Sequence, residues 1–173
     1  YFTARTKPFQ DFIQPFLNKG IIERWKPRYV KFKSNQIIQR RNWCAEEPRY
    51  VGVPGMNHVA KFLAEGLNIH INTRIASLNH QDTWQLTDGQ GKQYHGFDWV
   101  ICAVPSPQAL ELLPVSFAYH SHISVIKMRA CFSLMLGFEQ SLPLDFEAAH
   151  VTDADLSWIA VNSHKPQRQG LDR

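Results

Sequence analysis

The chain has 173 residues, 44% of them apolar and 20% charged, with 19 Lys and Arg against 15 Asp and Glu for a formal net charge of +4. A chain of this length removes roughly 70% of its unfolded surface from water without a disulfide or metal staple, and this composition excludes a disordered protein. Its longest apolar runs, such as WVICAVP at residues 99–105, fall far short of the ~20 residues that cross a bilayer, and nothing resembles a secretory signal; a cytoplasmic protein with no membrane partner is expected.

Residues 7–19 (KPFQDFIQPFLNK) place Phe9, Phe12, Ile13, Phe16 and Leu17 at helical spacing, and Gly20 is a natural C-cap. This predicts a core-facing helix, kinked or started late by Pro15. Residues 21–33 read as extended chain, 33–36 (KSNQ) as a turn, 37–40 as a second strand, and 50–53 as a short third one. After the turn at Pro54-Gly55, the residues Met56, Val59, Ala60, Phe62 and Leu63 define a helical face that Gly66 stops. Alternation in IHINTRIASL predicts a strand over 69–78, and DGQG at 88–91 joins two further strands in a hairpin. The apolar run 97–104 predicts a strand buried on both faces. Ser106 is then placed to N-cap, with Pro107 at N1, a helix through Leu113. Beyond it, 128–138 (MRACFSLMLGF) reads as a long strand, with two more at 148–152 and 156–162.

Cys44, Cys102 and Cys131 are widely spaced and form no C-x-x-C pair, so reduced thiols are expected, with Cys102 and Cys131 acting as small hydrophobes inside apolar runs. Much of the positive charge lies between Arg24 and Arg41, with Trp25, Tyr29, Phe32 and Trp43 interleaved. Such a stretch could hold nucleic acid by phosphate neutralisation and stacking. The preferred reading is a solvated sheet face, because Lys and Arg alternate with apolar residues and no nucleic-acid motif is present. His120-Ser121-His122 has a spacing that puts two rings on one face of a strand, but no third ligand is placed to complete a metal site. Neither a P-loop, a GxGxxG nor a nucleophile elbow is present, and DGQG precedes no helix.

The succession RYVGVPGMNHVAKFLAEGLNIHINTRIASL, a Trp-containing hairpin, and FDWVICAVPSPQALELL resembles the renalase-like branch of the flavin-containing amine oxidases, most closely over residues 49–113. The stretch LMLGFEQSLPLDFEAAHVTDADLSWIAVNSHKP is similar to the substrate domain of that branch. The resemblance implies an α+β chain: a mixed-sheet substrate domain formed by residues 1–50 and 115–173, plus part of an FAD-binding α/β domain at 51–114. It implies that adenine lies against Ile75 with Arg74 adjacent, that Ala103, Val104 and Pro105 pass near the ribose and pyrophosphate, and that Gly55 approaches the flavin. Pro54 and Met56 would face the substrate cavity. Trp158, by its residue type and strand position, suits either core or cavity wall. The family's glycine-rich N-terminal unit and C-terminal flavin segment have no counterpart here, and the chain starts without Met. An internal piece of a longer protein is therefore expected, with FAD bound by the full-length parent and not retained by this piece, which alone would be inactive.

The activity implied for the parent is oxidation of a small amine or dihydropyridine-type substrate by hydride transfer to the flavin, with no catalytic acid, base or metal ligand named. The alternatives are a non-catalytic binding module using the basic face, or a related flavin desaturase or protoporphyrinogen-oxidase-like enzyme. Substrate identity and oligomeric state stay open.

Overall fold

The computed structural model describes residues 1–43 and 47–168, an α+β chain that divides into two compact units, residues 1–68 with 136–173 and residues 69–135. Residues 51–68 thus belong to the first compact unit, and 115–135 to the second. Cys44 lies outside the described residues.

The first unit opens with β1 (Phe2–Thr3) and α1 (Lys7–Asn18). α1 buries Ile13 and Phe16 against Ile22 and Tyr50, while Phe12, on the expected apolar face, is exposed. Burying these two side chains contributes about 1.5–3 kcal/mol each, which sets the helix in place although Pro15 sits inside it and supplies no N–H. Its end is a Schellman motif: Gly20 N–H donates to the Leu17 carbonyl at 3.0 Å and Ile21 N–H to the Phe16 carbonyl at 2.9 Å, with Gly20 at φ +67°.

β2 (Ile22–Trp25) and β1 both pair antiparallel with β5 (Arg49–Gly52), giving the order β1-β5-β2. β3 (Arg28–Lys33) and β4 (Gln36–Asn42) form a hairpin whose two turn residues, Ser34 and Asn35, both have positive φ, as a type I′ turn demands. β3 also pairs in parallel with β9 (Ala148–Thr152), which pairs antiparallel with β10 (Trp158–Ala160), so this sheet is mixed and ordered β10-β9-β3-β4. Tyr29, Ala148 and Trp158 point to one face and Val30, Ala149 and Ile159 to the other. α2 (Asn57–Leu63) leans Val59 and Phe62 on the α1 cluster, but Leu63, expected in the core, is exposed.

The second unit is an antiparallel meander, β6 (Ile75–His80), β7 (Trp84–Asp88) and β8 (Gln93–Phe97), followed by α3 (Ser106–Leu112) and α4 (His120–Ser124). The hairpin at Asp88 to Gln93 forms as expected, with Gly91 at φ +84°.

Several sequence expectations are overturned here. The strand predicted over 69–78 begins only at Ile75, because Asn72 adopts a left-handed φ of +56° in a turn. Residues 98–104 and 128–138 are not strands: Trp99 is 85%, Ile101 89% and Phe132 94% exposed. An extended run needs a neighbour to receive its backbone hydrogen bonds, and no described strand pairs with either. Cys102 and Cys131 lie in these runs and are exposed, not buried. Pro105 takes the N-cap position of α3, and Ser106, expected to cap, makes no capping bond. His120 and His122 fall on α4, a helix, where residues two apart do not face each other. No helix among the described residues is long and apolar enough to cross a membrane.

Candidate functional site

In the first unit, five aromatic side chains converge from segments far apart in sequence. Trp43 and Trp158 stack with centroids 5.8 Å apart and planes 10° from parallel, and Tyr29 stacks on Trp43 at 5.5 Å and 27°. Trp25 meets Trp43 edge-on at 5.4 Å, and Tyr1 closes on Trp25, Trp43 and Trp158 at 5.3–5.7 Å. Strand geometry produces this convergence: Trp25 ends β2, Tyr29 lies on β3, Trp43 follows β4, and Trp158 begins β10. The indole N–H groups of Trp25 and Trp43 are buried and have no hydrogen-bond partner among the described residues.

Cations border the cluster. The Arg49 guanidinium lies 3.7 Å from the Trp43 ring centre, Arg41 lies 4.9 Å from Tyr29, and the Lys165 ammonium lies 5.4 Å from Trp25. Burial lowers the pKa of Lys165, and the nearby Arg168 charge lowers it further. A small cavity of about 180 Å³ opens against Trp43 between Arg41, Asn42, Glu47 and Arg49.

The turn at Pro54-Gly55-Met56 adjoins this cluster through Val53, a buried member of it, and the Val53–Pro54 peptide is cis. Met56 is 43% exposed, yet its Sδ is not idle: it accepts the Gly52 N–H at 3.0 Å. A Cβ on Gly52 would come within 2.7 Å of the Gly55 carbonyl oxygen and 2.9 Å of Met56 Cα, so the turn folds back on a position only glycine can hold. The Arg168 guanidinium donates to the Pro54 carbonyl. Pro54, Gly55, Met56 and Trp158 are thereby gathered in one unit.

Arg74, Ile75, Ala103, Val104 and Pro105 are gathered in the other. Ile75 begins β6 opposite Asp88, and the Arg74 carbonyl accepts the Gly89 N–H at 2.9 Å. The Arg74 side chain reaches Glu111 of α3 at 3.3 Å. Pro105 stands at the start of that same helix, its carbonyl accepting the Ala109 N–H at 2.9 Å. Six residues of helix, about 9 Å of rise, separate it from Glu111. Ala103, Val104 and Pro105 are all exposed.

As a test of fit for a flavin nucleotide, each unit is taken by itself: the second supplies an exposed segment at 103–105, and the first supplies apolar and aromatic surface at Met56 and Trp158. Neither cavity within the first unit, of about 290 and 180 Å³, reaches the size that buries such a ligand, roughly 300–1,000 Å³. Within each unit the residues suit a piece of wall for such a group. Among the described residues, no cluster of His, Cys, Asp or Glu is arranged to hold a metal ion.

Sequence reasoning named Trp158 as core or cavity wall, and Trp25, Tyr29 and Trp43 only as aromatics interleaved with the charges of 24–43, without joining the two. It also missed Arg49 and Lys165, which carry no motif.

The profile of one family, described as flavin containing amine oxidoreductase, matches residues 12–171, nearly the whole chain and both units. The chain belongs to the family of flavin containing amine oxidoreductases.

Proposed function

We propose that these residues serve an FAD-dependent oxidoreductase of the renalase-like type, which oxidises a small amine or a dihydropyridine-type substrate by hydride transfer to the flavin. The observation that carries the substrate side of this reading is the parallel stack of Trp43 with the half-buried Trp158, in an aromatic cluster that Val53 joins to the Pro54-Gly55-Met56 turn. FAD, when bound, accepts the hydride. The chain's own residues position and enclose. In the second unit, Arg74 and Ile75 would hold the adenine end and Ala103, Val104 and Pro105 the ribose and pyrophosphate; in the first, Gly55 would approach the flavin edge. Pro54, Met56 and Trp158 would line the substrate cavity and keep water from the reacting carbon.

The test is spectroscopic. The protein expressed from its complete coding sequence should be yellow, and its visible flavin absorbance should bleach when a primary amine or a dihydropyridine is added without oxygen. A colourless protein that FAD cannot reconstitute would sink the cofactor, and a flavin that neither substrate class bleaches would sink the substrate assignment.

A further inference from the structure

The cations between Arg24 and Arg41 are sorted by strand register onto two faces of the β10-β9-β3-β4 sheet, and the two faces are not alike. On the face that carries Val30 and Ile159, Arg28 pairs with Glu147 at 2.9 Å and Arg40 with Asp145 at 2.7 Å. The other face carries Tyr29 and Trp158. There, Lys31, Lys33 and Arg41 have no carboxylate within ion-pair distance among the described residues.

Register places these groups in rows. Trp158 stands opposite His150, His150 opposite Lys31, and Lys31 opposite Gln39, a single line of side chains across all four strands on one face. The next row toward the aromatic cluster is Ala160, Ala148, Tyr29 and Arg41. Ala148 is buried under the aromatic cluster and Ala160 packs against it, so the open part of this face begins at the row of Trp158, His150 and Lys31. Lys33 lies two residues beyond Lys31, opposite Thr152, on the same side. Neighbouring strands are about 4.8 Å apart, so Trp158 and Lys31 stand about 10 Å apart, the length of one aromatic ring with a charged arm.

From this arrangement we infer that the aromatic face of the mixed sheet binds a planar aromatic small molecule bearing an anionic substituent, the ring against Trp158 and the anion at Lys31, Lys33 and His150. Charge complementarity selects this occupant. The face offers stacking surface and uncompensated positive charge together, whereas a simple amine would meet only like charge there. The inference deepens the proposed function by assigning its substrate an anionic group, and it rests on the reading that Trp158 borders the substrate cavity.

Equilibrium dialysis of the complete protein against phenyl phosphate and phenol tests it. Phenyl phosphate should bind at least tenfold more tightly than phenol, and that preference should weaken as salt rises. The double variant Lys31→Gln, Lys33→Gln should lose most of the preference while keeping its circular dichroism spectrum, and Trp158→Ala should weaken both ligands. Equal binding of the two ligands, or an unchanged preference in the lysine variant, overturns the inference. So does a mixed-sequence single-stranded oligonucleotide that phenyl phosphate cannot displace, which would mark a nucleic-acid face instead. These readouts need no flavin, so a colourless protein that still prefers phenyl phosphate would reject the cofactor reading and leave the anion site standing.

Discussion

Glu147 holds Arg28 from two directions: one carboxylate oxygen accepts the Arg28 backbone N–H at 2.8 Å and the other accepts its Nε–H at 2.9 Å. The Glu147 backbone N–H returns a bond to the Arg28 carbonyl at 2.9 Å. The pair marks where β3 and β9, 119 positions apart, begin their parallel alignment. Glu147→Ala should therefore cost about 1–2 kcal/mol of unfolding free energy. Glu147→Gln, which can still accept the backbone N–H, should cost about half as much. Urea denaturation compares them; equal losses would show that the charge carries the whole effect and the neutral acceptor none.

At Gly20 the cost of a side chain is purely conformational, because a Cβ would meet nothing within 4 Å while φ stands at +67°. Gly20→Ala should destabilise by about 1 kcal/mol, and Gly20→Asn by less, since Asn tolerates the left-handed region. Thermal unfolding of the two variants checks the order.

Gly52 and Gly55 offer a sharper contrast within one turn. A Cβ on Gly52 strikes backbone at 2.7 and 2.9 Å, whereas one on Gly55 meets the Asn57 side-chain oxygen at 2.8 Å, which can rotate away. Gly52→Ala is expected to cost about 2–3 kcal/mol, and Gly55→Ala less than about 1. A mild Gly52→Ala in denaturant titration would contradict the close approach.

The Asp88 carboxylate shapes the second hairpin. Partial burial pushes its pKa up, but the Gln90 and Lys92 N–H groups, the Tyr94 hydroxyl and the Lys92 charge together hold it below the ordinary aspartate value. A depressed folded-state pKa means that this contribution is complete above the unfolded pKa, about 4, and is lost as pH falls through the folded value. The stability gap between wild type and Asp88→Asn should accordingly be largest near neutrality and shrink in acid. Urea midpoints from pH 7 down to about pH 3 would show it; a gap that stays constant refutes the assignment.

What could be read from the sequence was local. The α1 stripe with Gly20, the turns at Ser34-Asn35 and Asp88 to Gly91, the strand 148–152, and a strand expected over 156–162 that forms at 158–160 each carry their own chemistry within a few residues. The runs 98–104 and 128–138 failed because an apolar pattern records a side chain's need for burial, not the strand that would satisfy its backbone. The site divides the same way. Trp158 was legible as an aromatic on a half-buried strand. Its stack with Trp43 depends on a parallel pairing between β3 and β9 that no local pattern announces.

β4 lies at the rim of its sheet, where an open line of N–H and C=O groups invites another strand, and Ile38 is exposed on it. The pairing slips at Lys31/Phe32, just where Ile38 is passed over, and Arg40 and Arg41 follow at once. An interrupted ladder followed by two adjacent positive charges makes a poor template for an incoming chain. These residues act as gatekeepers that disfavour pairing of another strand along the edge around Ile38.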